Sequence, residues 1–344
     1  MLTRAATGLA TMVDTLKAAA ESSRLRILLL LARGDLTVSD LTEILAQSQP
    51  RVSRHLKLLM EAGLIERYQE GSWAYFRLSD GESVRDFLNG VLGRVDGGDA
   101  VVERDMERLA SVKRRRQERA ADYFSANAAS WDEIRLLHVP DAAVEAAMQE
   151  LVGDRPFQTM LDLGTGTGRL LELFAPLYRR GVGIDLSREM LAVARANLDK
   201  ADVGHAQVRQ GDLYAPPVER DSFDLVTMHQ VLHYLDEPGL AISEAARLLR
   251  PSGRLVIVDF APHGHEFLRE EHAHMRLGFS DRQMAEWLEE AGLELEAERS
   301  FAPEAASDGG AEGLTVRLWL ARDRRLLVAD PDTDTSRQTH META

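Results

Sequence analysis

The stretch Met160-Leu161-Asp162-Leu163-Gly164-Thr165-Gly166-Thr167-Gly168 constrains this chain more than any other. A short apolar run meets three alternating glycines and continues into Arg169-Leu170-Leu171-Glu172-Leu173-Phe174, which reads as strand, tight turn and helix. Glycines at such a turn let the backbone approach a ligand that a Cβ would push away. The first turn of the helix behind them offers unpaired N–H groups and a positive dipole end, which favour an anionic group. A dinucleotide fingerprint, G-x-G-x-x-G, would need glycine at 169, where Arg169 stands. The pattern is instead Asp-x-Gly-x-Gly-x-Gly. An ordinary glycine-rich strand-to-helix turn is the alternative at this point, and the rest of the chain has to decide.

Beyond residue 155 strands and helices alternate, the pattern of a doubly wound α/β sheet. Residues 180–187 form a second strand ending in Asp185, 17 residues after Gly168. A carboxylate at that strand end can accept both hydroxyls of a ribose. Residues 205–208 form a third strand that runs into Gln210-Gly211-Asp212-Leu213, and residues 223–228 a fourth. Residues 248–259 read as helix end, turn and fifth strand, and 293–301 with 314–321 as a final pair. Together these residues resemble class I S-adenosylmethionine (SAM)-dependent methyltransferases of the ubiquinone/menaquinone-biosynthesis type, over about residues 123–323. The resemblance implies an α/β Rossmann-like fold with a mostly parallel seven-stranded sheet. It implies S-adenosyl-L-methionine or S-adenosyl-L-homocysteine (SAH) as cofactor. The contacts it implies are Asp162, Gly164, Thr165, Gly166, Gly168, Asp185, Leu186, Met190, Gly211, Asp212, Leu213 and His229. Among them Met190 would flank the adenine and Asp212 accept from its amino group.

After the fourth strand comes Met228-His229-Gln230-Val231-Leu232-His233-Tyr234. An enzyme methylating a flipped base would carry an Asn/Asp-Pro-Pro-Tyr/Phe tetrad there. Its absence argues against base methylation and for a small-molecule acceptor. His229, His233 and Tyr234 are the catalytic candidates, since histidine titrates near neutral pH. Equally, His233 reads as a residue that holds a helix against the sheet. His263, His265, His272 and His274 cluster with Glu266, Glu270 and Glu271. A substrate-side lid is the expectation, because His272 and His274 are two apart and point to different faces of a helix. Residues 123–132, from Tyr123-Phe124 to Trp131-Asp132, resemble the aromatic entry segment of small-molecule methyltransferases. An aromatic pair packed in a core is the other reading.

The first ninety-five residues have a different character. Helices are expected over 9–20 and 24–33, then a helix–turn–helix. Its first helix spans 36–45 with Ser39 as N-cap. Gln47-Ser48-Gln49 makes the turn, and Pro50 suits the start of a second helix that runs to about Ala62. Val52, Leu56, Leu59 and Met60 form its inward face. Residues 64–78 read as a hairpin with a Gly-Ser turn. Candidate DNA contacts are Gln49, Arg51, Ser53, Arg54, His55 and Lys57 on the second helix, with Arg67, Ser72 and Tyr75 on the hairpin. A small α+β domain with a solvated basic helix face is the alternative. Residues 9–95 resemble ArsR-type winged-helix repressors at Ser22-Ser23-Arg24-Leu25-Arg26-Ile27-Leu28, at 49–62 and at the hairpin. The resemblance implies operator binding as a homodimer, through the first helix and a helix after the wing. Val84, Phe87, Leu88, Val91 and Leu92 make a fitting stripe. Many members carry Leu-Cys-Val-Cys-Asp-Leu on the first motif helix; here it is Leu36-Thr37-Val38-Ser39-Asp40-Leu41. Thr37 and Ser39 cannot supply soft thiolates, so no metal is expected at this site.

Composition sets the outer limits. The chain has 344 residues and no cysteine, which excludes disulfides, thiolate metal sites and arsenic held by thiols. Net charge is −15, unevenly spread. Lys and Arg number 19 against 17 Asp and Glu in residues 1–120, and 22 against 39 in the remainder. Only the N-terminal third suits DNA. No apolar run spans a membrane and no signal-peptide pattern opens the chain, so a cytoplasmic location is expected. The domains expected are a winged helix–turn–helix at 1–95, a charged helical connector at 96–122 with a hinge at Gly97-Gly98, a methyltransferase domain at 123–323, and a disordered tail at 324–344. Two functional readings follow. One is a DNA-binding regulator whose methyltransferase domain couples methyl-donor status, or small-molecule methylation, to operator binding. The other is an active small-molecule methyltransferase with an autoregulatory DNA-binding domain. A winged helix used only for dimerisation is opposed by the basic face at Arg51, Arg54, His55 and Lys57.

Overall fold

A computed structural model of the protein describes residues 8–70, 73–79, 82–128, 141–302 and 313–325. Ser72 in the wing, Trp131-Asp132 and the tail from 326 lie outside the described residues.

Four helices, α1 (Leu9–Ala19), α2 (Ser22–Leu31), α3 (Val38–Leu45) and α4 (Gln49–Glu61), precede a hairpin of β2 (Ile65–Glu70) and β3 (Trp73–Leu78). A short β1 (Leu36–Thr37) pairs with β3 as a third strand. The expected N-cap of α3 moves from Ser39 to Thr37. Thr37 and Asp40 form a reciprocal capping box, in which the Asp40 carboxylate accepts from the Thr37 N–H at 2.8 Å. Ile27, Leu28, Leu41, Leu56 and Leu59 are fully buried between the helices. Leu88 of α5 (Glu82–Leu92) joins this core, and Val84, Phe87 and Leu92 pack against it. Much of the stripe expected for dimerisation therefore serves the chain's own core. The first helix keeps Leu9, Val13 and Leu16 exposed.

The expected connector is part of one helix, α6 (Ala100–Asn127), 28 residues long and roughly 42 Å from end to end. It is not solvated all round. Leu109 and Val112 are buried in the N-terminal core. Arg26 donates two hydrogen bonds, at 2.5 and 2.6 Å, to Asp105, which is 2% exposed. Within the basic run Lys113-Arg114-Arg115-Arg116, Lys113 and Arg115 are engaged within the chain, with Glu237 and Glu43. The helix is thus a spine shared by both halves.

The second half is a seven-stranded sheet with helices on both faces. Its strands are β4 (Phe157–Leu163), β5 (Tyr178–Asp185), β6 (Ala206–Gln210), β7 (Phe223–His229), β8 (Leu249–Phe260), β9 (Leu293–Phe301) and β10 (Val316–Asp323). They lie in the order β6-β5-β4-β7-β8-β10-β9, with β10 antiparallel to both neighbours and the pairings from β6 to β8 parallel. Pleating divides the apolar residues of β4 between two layers, Leu161 and Leu163 into one and Met160 into the other. Strand order reverses around β4, which β5 and β7 flank, and such a switch point opens a crevice at the carboxyl ends of the strands.

Candidate functional site

A cavity of about 200 Å³ occupies that crevice. Its floor is the glycine turn. Gly164 has φ +73°, and a Cβ there would stand 2.4 Å from Val231 Cγ2. Asp185, at the end of β5, ties the turn down: its carboxylate accepts from the N–H of Gly166 at 2.8 Å and of Ser187 at 2.9 Å. Burial pushes the Asp185 carboxyl up, and these backbone donors oppose it. Asp162, 2% exposed, accepts from Thr227 Oγ1 at 2.7 Å. Leu186, Met190 and Leu213 supply apolar wall, and the Asp212 carboxylate accepts from the Tyr214 N–H at 3.0 Å. Gly168 and Gly211 are not in the wall. Gly168 opens α7 (Arg169–Leu173) at φ +85°, and a Cβ on Gly211 would meet Pro217 at 2.6 Å. The helix after the turn has five residues, one short of the stretch read from the sequence.

Across the cavity stand Phe124 of α6, Tyr234, Leu235 and Met275. Phe124 and Tyr234 meet edge to face at 4.6 Å. His229 and Tyr234 line the cavity, but His233 does not. It is 1% exposed, with Nδ1 2.8 Å from Asp259 Oδ1, and its carbonyl accepts from the N–H groups of Met275 and Arg276 at 2.8 and 3.0 Å. His233 therefore braces the opposite segment. Burial holds the Tyr234 phenol well above its ordinary pKa, so it stays protonated at neutral pH. Sequence reasoning missed Gln230, Asp236 and Met275 as wall residues. Gln230 has φ +52°, and its Nε2 is buried without a hydrogen-bond partner among the described residues. A left-handed glutamine gives no sequence signal.

The histidine cluster spreads over the segment that follows β8. His272 Nδ1 lies 2.7 Å from Tyr123 Oη, and the His274 ring is 4.1 Å from that of His233. Burial, helped by His265, lowers His263 to a pKa of about 4. Among the described residues no group of three or more His, Asp or Glu is placed to hold a metal.

On α4, Gln49, Arg51, Ser53, Arg54 and Lys57 are exposed, as is Arg67 on the wing. His55 is half-buried, with Nδ1 3.5 Å from Glu21 Oε2, and burial lowers its pKa. Tyr75 is a correction. It is 4% exposed, and its hydroxyl donates to the carbonyl of Met275 at 3.3 Å, so in this conformation it faces the second domain instead of solvent.

Residues 21–67 match the family described as bacterial regulatory protein, arsR family, and residues 161–257 match the methyltransferase domain family. The chain joins an arsR-type helix–turn–helix to a class I methyltransferase domain. The methyltransferase half is similar to the uncharacterised methyltransferase YcgJ of Bacillus subtilis, 33% identical over 104 residues, which are 30% of this chain and 41% of that protein. It is also similar to the ubiquinone/menaquinone biosynthesis C-methyltransferase of a Shewanella species, 33% identical over 125 residues, 35% of this chain and 50% of the other. The chain thus spans half the length or less of these curated relatives. The crystal structure of the Bacillus subtilis YcgJ protein covers 53% of this chain and 98% of its own, with a TM-score of 0.46 and 20% identity. A SAM-dependent methyltransferase of Mesorhizobium loti covers 52% and 96%, with a TM-score of 0.44 and 19% identity.

Proposed function

We propose that this protein is a cytoplasmic transcription regulator that binds double-stranded operator DNA as a homodimer and binds SAM or SAH in its methyltransferase domain, so that methyl-donor status sets operator affinity. One observation carries this reading. The cavity at the switch point, with Asp185 tied to the glycine turn, is connected by the single helix α6 to a helix–turn–helix whose Arg51, Arg54 and Lys57 face outward. The lining suits a nucleoside. The Asp185 carboxylate can accept ribose hydroxyls, Leu186, Met190 and Leu213 can flank a flat base, and Asp212 can accept from an amino group. Gln230 Nε2 is a buried donor at the wall, and such a group calls for an acceptor. Dimerisation would use the exposed Leu9, Val13 and Leu16 of the first helix.

The second reading, methyl transfer to a small apolar acceptor, is favoured by the wall of Phe124, Tyr234, Leu235 and Met275 beside His229. When bound, SAM would supply an electrophilic methyl group. Phe124 and Tyr234 would orient the acceptor and exclude water, and the His229 ring would take the acceptor's proton.

Calorimetric titration of SAM and SAH into the full chain and into Asp185→Ala tests the cofactor. Wild type binds and the variant does not; equal behaviour of the two refutes the assignment. A screen of small acceptors for SAH release tests the enzyme. Arg54→Ala tests the recognition helix and loses DNA affinity if the helix is correctly assigned.

A further inference from the structure

The outer face of the wing is an aromatic ladder. Tyr68 and Tyr75 are cross-strand partners with rings stacked at 5.5 Å, and Trp73 stacks on Tyr75 at 6.4 Å. Pleating sends Ile65 and Phe76 into the N-terminal core, so the ladder points away from it. Two arginines of the methyltransferase domain cover it. The guanidinium of Arg276 lies 4.9 Å from the centre of the Tyr75 ring, and that of Arg269 lies 5.0 Å from the centre of the Trp73 ring.

Both arginines are buried, at 7% and 6% exposure. A desolvated guanidinium is tolerated only where hydrogen bonds replace water. The replacements for Arg276 come from both domains. Its Nη1 donates to Tyr68 Oη at 2.8 Å, and that hydroxyl donates to Asp35 at 2.6 Å. Its Nη2 donates to the Asp236 carbonyl at 2.6 Å. Tyr75 donates to the Met275 carbonyl, and Arg269 also reaches that carbonyl. Met275 and Asp236 both line the cavity. A second anchor lies one residue further on. Lys113 Nζ bridges the Arg33 carbonyl and the Glu237 carboxylate at 2.9 Å each, and a Cβ on Gly34 would stand 2.8 Å from Glu237 Oε1.

We propose that the wing is a positioning layer of the methyltransferase pocket: Tyr68 and Tyr75, by holding Arg276, fix the wall made by Met275 and Asp236. The proposal rests on reading the cavity as the SAM/SAH site. Its consequence is reciprocal. A ligand that tightens this wall tightens the wing, and a displaced wing loosens the ligand.

The test uses the full chain and the double variant Tyr68→Phe/Tyr75→Phe, which removes two hydroxyls and keeps both rings. Amide hydrogen exchange is followed in residues 268–278 without ligand, with residues 27–31 as the internal control for the N-terminal core. SAH affinity and dissociation rate are then measured. Exchange in 268–278 rises while the control stays fixed, and SAH affinity falls roughly twofold to tenfold, through faster dissociation, the worth of a typical hydrogen bond or two. Arg276→Lys, which keeps the charge but not the fork, has the same sign of effect. Unchanged exchange in 268–278 together with unchanged SAH affinity overturns the proposal. Should wild type fail to bind SAH, the cofactor reading falls instead, and the exchange result alone decides whether the wing holds the wall.

Discussion

Tyr75 of the wing donates a hydrogen bond to the backbone carbonyl of Met275, and Met275 lines the methyltransferase cavity. A residue of the DNA-binding half is therefore one hydrogen bond from a residue of the cavity wall. Coupling between distant sites needs a physical element that both sites bias, and the segment from Arg269 to Arg276 fits that description.

Asp185 should be the most sensitive cavity residue. Asp185→Asn removes the charge that ribose hydroxyls would meet and disturbs the acceptor of the Gly166 and Ser187 N–H groups. Charged hydrogen bonds are worth about 1.5–3 kcal/mol, so SAH affinity falls roughly tenfold to a hundredfold in calorimetry. An unchanged dissociation constant would remove Asp185 from the site.

The turn itself is protected by sterics. Gly164→Ala places a methyl 2.4 Å from Val231 Cγ2 at φ +73°. The left-handed backbone alone costs about 1–2 kcal/mol, with the clash added. Val231→Ala in the same chain removes the Cγ2 contact but leaves the residue's Cβ 2.8 Å from the new methyl, so it recovers part of the clash and none of the backbone strain. Thermal unfolding of the single and double variants measures the recovered part.

Among the contacts of helix α6 is one buried ion pair, Arg26 with Asp105. Asp105→Ala strands Arg26, whose side chain is 18% exposed, and breaking a buried pair costs about 3–5 kcal/mol. The N-terminal domain should melt at markedly lower temperature. A loss near that of a surface ion pair, under about 1 kcal/mol, would mean that the pair does not hold the spine.

Acid should loosen the segment after β8 through His263. Its folded pKa is about 4, below the ordinary 6.5, because burial disfavours the charged ring. The unfolded chain therefore binds this proton more readily. The neutral ring's stability is whole above about pH 6.5 and is lost as pH falls toward 4. His263→Gln should flatten stability against pH across that window. An identical slope in both proteins would show that His263 does not titrate as placed.

Local chemistry made much of this legible in the sequence. The glycine turn and the strand at 293–301 are short-range patterns and form where they were read, and Asp185 and Asp212 line the cavity, Asp212 having been legible only through the family resemblance. Thr37 displaced Ser39 as a cap because Asp40 reciprocates from three residues away. The packing of α6 was hidden because its inward face includes Asp105, a charged residue buried only through Arg26. The wing's role was hidden for a different reason. Tyr75 and Met275 are 200 residues apart, and alternation identifies the ladder face without naming what covers it.

The most direct test is a calorimetric titration of SAH into the full chain, free and saturated with a duplex that the chain itself selects from a random library. If cavity and DNA-binding face are coupled through the wing, the two affinities differ by about fivefold or more, the range expected for a coupling of 1–3 kcal/mol. By reciprocity, SAH then shifts the affinity for the duplex by the same factor. Equal SAH affinities in the two titrations would contradict the coupling.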